Sequence, residues 1–95
     1  MKELPAHVTS DKRTPDFTDA TVPKGLLRRH LTKQGTWASI VILEGRLRYR
    51  ILEPVVAEFE LSPERPGVVE PAVPHEVELI GPVRFYVEFF SEPGP

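Results

Sequence analysis

Three histidines are the residues in this chain best suited to chemistry near neutral pH. His7 lies in an aperiodic N-terminal stretch and has no partner in the pattern around it. His75 follows Pro71-Ala72-Val73-Pro74, whose prolines hold the backbone extended, and it shares an alternating face with Val77 and Leu79. His30 stands in the segment Leu26–Leu31. Imidazole suits first-row divalent metals such as zinc or iron. A fold that brings the two flanks of the central strand-forming run together would place His30 and His75 side by side. With no cysteine in the chain, a third ligand must be a carboxylate. Glu88 is the first candidate and Glu70 the fallback. Each residue also has an ordinary structural reading. A histidine on an apolar face is more often a satisfied core residue than a ligand. Glu88 falls out of phase with Val83, Phe85, Val87 and Phe89, which makes it a surface or interface residue by alternation.

Other chemistries find little support. No serine or threonine sits in a nucleophile-elbow setting. There is no glycine-rich phosphate loop. Arg46, Arg48 and Arg50 form a basic stripe that reads as a solvated or interface face, with an anion site as its alternative. The stripe lacks interleaved aromatics for stacking bases. Net charge is −2, so the basic excess of a nucleic-acid binder is missing. The charge is uneven: residues 53–95 carry nine acidic and two basic groups. That suits basic strands lying beside acidic ones, a self-complementary dimer, or simply scattered solvated faces. The first residues lack an apolar signal core and no run is long enough to span a membrane, so the expected location is cytoplasmic. The absence of cysteine also excludes a disulfide framework.

The elements that must position these side chains read as strands. Trp37–Leu52 contains an almost wholly apolar arm, Ala38–Leu43, and an alternating arm with Leu47, Tyr49 and Ile51 on one face. Glu44-Gly45 between them reads as a hairpin turn. Val55–Leu61 alternates, with Ala57, Phe59 and Leu61 inward. Val68–Glu70 is a short strand. His75–Ile80 and Val83–Phe90 are two further strands separated by a Gly81-Pro82 turn. Leu26–Leu31 is either a strand or a short helical turn. Residues 1–25 form an extended arm, with a short edge strand near His7-Val8, and residues 91–95 a loose tail. Most of the 11 prolines fall between strand candidates. The fold class is all-β: one antiparallel sandwich or small barrel of six to eight strands. A 95-residue domain buries only about two-thirds of its unfolded surface, so a homodimer interface would add usefully to stability.

Two blocks resemble cupins. Val41–Gly45 followed by a basic alternating strand is similar to their first block, and Pro71–His75 with Val77 to their second. The first block departs from the family: only His30 stands where two histidines are usual, with Thr32 at the second place, and the glutamate position falls near Trp37 or Ala38. Thr21–Lys33, Leu43–Ile51, Pro63–Glu78 and Gly81–Phe90 together resemble the small cupin-like domain found as YeaR and at the N-terminus of some TehB tellurite-resistance methyltransferases. The resemblance implies a cupin-type double-stranded β-helix, an antiparallel jelly-roll barrel, with His30, His75 and Glu88 at family-like positions. It implies a stress- or tellurite-resistance-related protein binding a divalent metal or small ligand in the barrel. Two alternatives remain open. One is a metal-dependent oxygenase or isomerase acting on a small anion. The other is a metal-free interaction module serving a methyltransferase in trans. Methyl transfer in TehB resides in a separate S-adenosylmethionine-binding domain, which this sequence is not expected to contain.

Overall fold

The Trp37–Leu52 run does not fold back on itself. In the computed structural model, which describes residues 1–93, Trp37–Ile51 lies in one continuous strand, with Leu52 just past its end. Six strands form among the described residues: β1 Thr9–Arg13, β2 Phe17–Thr18, β3 Thr36–Ile51, β4 Ala57–Leu61, β5 Gly67–Val69 and β6 His75–Ser91. A single 3-10 turn, Lys24–Leu27, joins β2 to β3. The all-β expectation is met, and among the described residues no helix is long and apolar enough to cross a membrane.

Both expected turns are bulges instead. The two arms of β3 pair with β6, not with each other. Ile42 faces Phe85 and Glu44 faces Arg84, so Leu43 is an extra residue in β3. Gly45 then faces Val83 while Leu47 faces Leu79, which sets Ile80, Gly81 and Pro82 of β6 against Arg46 alone, two residues extra in β6. Gly45 has φ 82, the left-handed conformation that hairpin turns and glycine bulges both use. A Glu-Gly pair between apolar runs therefore cannot tell the two apart. Pro82 has no N–H to give a ladder, which suits a bulge.

The bulges explain an apparent break in the alternation. Ala38, Ile40 and Ile42 are buried, and so are Leu47 and Tyr49, although the two sets differ in parity. One inserted residue restores the inward face. The sheet bends there, and its two arms face each other across one core. Tyr49 Oη on the second arm donates to the Val68 carbonyl, 3.1 Å away, on a strand paired with the first. Gly67 likewise lies against Leu61 of β4 and Ile40 of β3. The buried side chains of both arms form a single cluster with Tyr49, Phe85, Leu47, Leu61 and Val69 at its centre.

The peripheral strands attach to this pair: β1 and β2 to β6, and β4 and β5 to β3. Thr9–Arg13 pairs with Ser91–Glu88, so five residues of the N-terminal arm form an edge strand, one step further along than His7-Val8. Ser91, assigned to the tail, ends β6; residues 94–95 of that tail lie outside the described residues. Val55 and Val56 precede β4 and are exposed. Arg48 and Arg50 stand opposite Glu60 and Glu58 on one side, and Glu78 and Glu76 on the other. The basic strand lies between two acidic ones.

Candidate functional site

The inward faces of the two arms do not close completely. They leave a cavity of about 260 Å³ whose walls include Phe17, Leu26, His30, Thr32, His75 and Phe85. Phe17 and Phe85 are register partners in β2 and β6 and meet edge to face at 5.7 Å. The segment from Pro23 to His30 forms the mouth. Pro23, Gly25, Leu26 and His30 line the cavity yet keep solvent exposure.

Local chain geometry brings the two histidines together. Ala72 takes a left-handed φ of 58, and its N–H donates to the Thr32 carbonyl at 3.0 Å. That contact ties the proline-rich segment to the strand entering from His30. The backbones of His30 and His75 then exchange two hydrogen bonds, each 2.8 Å. Their rings meet nearly at right angles, centroids 5.5 Å apart. Tyr49 closes on the other side of His75, ring to ring at 5.8 Å.

His75 is 5% exposed. Its Nδ1 lies 3.0 Å from the Val73 carbonyl. A carbonyl can only accept, so Nδ1 carries the proton and Nε2 of the neutral ring keeps its lone pair. Burial pushes the His75 pKa below its ordinary 6.5; the bond to Val73 works against that shift, and His30 adds to it. Burial also pushes the Tyr49 hydroxyl up, with Glu70 adding to it, so the phenol stays protonated and donates.

The depressed His75 pKa makes stability depend on pH. The unfolded chain takes up this proton near 6.5, whereas the folded ring takes it only at lower pH. Stability is therefore full above 6.5 and declines between that value and the folded pKa. Melting temperatures of wild type and His75→Phe, followed from about pH 8 to about pH 5, should diverge in this window. Parallel curves would show that His75 does not titrate with folding. The carboxylate ladder acts lower. Arg48 and Arg50 hold Glu78 below its ordinary 4.5, so its contribution goes only as the pH falls under that value.

The other candidates lie elsewhere. Glu88 is on the outer face of β6, where Ser10 Oγ donates to its Oε2 at 2.6 Å. It does not join the histidines, and alternation along β6 is the reason. Glu70 sits 3.2 Å from Lys2. His7 pairs with Glu92 at 3.2 Å, exposed. Among the described residues no three His, Asp or Glu side chains are placed to hold a metal together. The protein thus offers two imidazoles and no carboxylate beside them, which does not fit a two-histidine, one-carboxylate centre. The arginine stripe is bonded on its own surface, Arg46 to Glu60, Arg48 to Glu78, and Arg50 to Glu58, Glu76 and Glu78. With these cations already held by carboxylates, an anion site there would have to displace them.

Sequence reasoning did not single out Phe17 and Phe85 as cavity walls or Thr32 as a buried anchor. Thr32 Oγ1 donates to the Thr36 carbonyl at 2.8 Å. Its one available signal was phase, since it alternates with His30.

Both the sequence and the bent sheet have relatives. The sequence pattern of the TehB-like domain matches residues 12–87, a span that contains both cavity histidines. Two curated relatives, each called a probable S-adenosyl-L-methionine-dependent methyltransferase TehB, come from strains of Haemophilus influenzae. Each is 36% identical over 73 residues, 73% of this chain. The chain spans only 26% of their length. A crystal structure of an Escherichia coli K12 protein superposes with TM-score 0.90 at 21% identity, covering 99% of this chain and 100% of that one; at that identity the likeness is one of fold. The crystal structure of TehB from Haemophilus influenzae superposes with TM-score 0.83 at 27% identity, covering 92% of this chain and 32% of TehB. The match along most of its length and the shared fold lead to one conclusion: this chain belongs to the TehB-like domain family.

Proposed function

We propose that this chain is a small-molecule-binding accessory domain that works with a methyltransferase of the TehB kind. The cavity walled by His30 and His75 carries the reading. A concave, mainly apolar space with a few convergent polar groups is the usual form of a ligand site. The relatives supply the context, because the matching part of TehB belongs to a longer chain named as a methyltransferase. The bent sheet around a histidine-walled cavity supports describing the fold as a small cupin-type barrel. A metal-dependent enzyme is less well supported, since Glu88 faces away from the two imidazoles.

The test uses TehB deprived of its matching domain. Methyl transfer from S-adenosylmethionine is measured alone, with TehB's own domain added back, and with this chain added. We expect this chain to raise the rate as the native domain does. We expect Val87→Trp, which fills the cavity, to remove the effect. If the native domain restores the rate and this chain leaves it unchanged, the proposal fails. Equal stimulation by Val87→Trp would detach the effect from the cavity.

A further inference from the structure

We propose that the cavity takes a small, uncharged, largely apolar molecule that donates one hydrogen bond, from an O–H or N–H group, to Nε2 of His75. This rests on the ligand-binding reading above and names the class of ligand.

The donors and acceptors around the space define that class. His75 Nδ1 is committed as a donor to the Val73 carbonyl, which leaves Nε2 as an acceptor. Among the described residues the His75 ring makes its one hydrogen bond through Nδ1 and none through Nε2. The residue is 5% exposed and lines the cavity. No buried side-chain N or O among the described residues is left without a partner, so this unpartnered acceptor is not sealed in the core but opens on the cavity, where a ligand can meet it.

The threonines on the walls cannot serve a ligand as donors. Thr32 Oγ1 gives its proton to the Thr36 carbonyl at 2.8 Å. Thr14 Oγ1 gives its own to the Pro15 carbonyl at 2.9 Å and accepts from the Val87 amide at 3.0 Å. No Lys, Arg, Asp or Glu among the described residues lines the space. An anion placed here would lose its water and find no cation, which is costly. His30 is the remaining polar ring, and it stands at the exposed mouth.

Size narrows the class further. An apolar cavity of roughly 150 Å³ accepts benzene. At about 260 Å³ this one has room for a single ring with a substituent. Phe17 and Phe85 supply aromatic edges for it.

Phenol, toluene and benzoate are the probes, titrated at neutral pH against wild type by ligand-observed NMR. Phenol carries the donor, toluene has the shape without it, and benzoate carries the charge. Phenol must give up the water around its hydroxyl, so without an acceptor it would bind more weakly than toluene. With Nε2 available, we expect phenol to bind about tenfold more tightly than toluene, and benzoate not to bind. His75→Phe keeps a ring and removes the acceptor, and the preference should reverse. Should that variant fail to fold, His75→Gln provides an amide oxygen as acceptor and should keep the preference for phenol. Toluene binding wild type as well as phenol does would overturn this proposal and leave the ligand-binding reading standing. So would benzoate binding most tightly. No binding by any probe would remove both.

Discussion

Gly45→Ala is expected to lower the melting temperature by more than about 10 °C, or to prevent folding altogether. Two costs act together. Gly45 has φ 82, and an alanine held there costs about 1–2 kcal/mol. The larger cost is steric. A Cβ at this position would stand 2.2 Å from the Pro82 carbonyl oxygen and 3.0 Å from Val83 Cα. Both are backbone atoms, so no side chain can swing aside. The bulge would have to open, and with it the bend that turns one arm of the sheet over the other. At about 4–8 °C per kcal/mol for a domain of this size, a loss of roughly 3 kcal/mol already exceeds 10 °C. Gly35→Ala is the control. Gly35 has φ 83, and a Cβ there would meet nothing within 4 Å, so only the backbone cost applies. Thermal melts of the two variants side by side decide the matter. Equal losses would mean that the close approach of β3 to Pro82 does not constrain the fold.

Phe85→Ala should cost about 3–5 kcal/mol, the usual range for removing a buried phenylalanine. Phe85 is 1% exposed and among the largest fully buried side chains. Total stability for a domain of this kind is about 5–15 kcal/mol, so this one change removes a large part of it. The site cannot collapse to recover the loss. Phe85 already borders the 260 Å³ cavity, and its removal joins new empty volume to old. Phe17 would lose the ring it packs against, which loosens β2. Urea denaturation with the slope checked against wild type is the measurement. A loss under about 1 kcal/mol would contradict the packing described for this side chain.

How much of this was visible in the sequence differs from residue to residue. Alternation identified the inward faces of β3, β4 and β6, because a half-buried strand leaves a period of two whatever its partners are. It also sent Glu88 outward, ahead of any resemblance that would place it with the histidines. The meeting of His30 and His75 was legible as one outcome of joining the flanks of the central run, and the backbone bridge between them realises it. The pairing scheme was not legible. Left-handed glycine serves a turn and a bulge equally, so the local pattern at Glu44-Gly45 favoured a hairpin that β3 does not form. The cavity was hidden for another reason. Phe17, Thr32 and Phe85 come from three separated segments, and no period within one segment can announce that they enclose a space.

The attachment of every other strand to either β3 or β6 has a kinetic meaning. Strands β4 and β5 lie within the loop that closes when β3 meets β6. That loop's entropy is lost before most contacts can repay it, which puts the chain among the slower-folding small domains. The arginines of β3 meet the glutamates of β6 in that encounter, and those of β4 when it pairs with the other edge of β3. Their attraction in the still-open chain favours the correct neighbours over a pairing of like-charged strands, so the ladder serves as a guide to register during folding as well as a surface of the finished sheet.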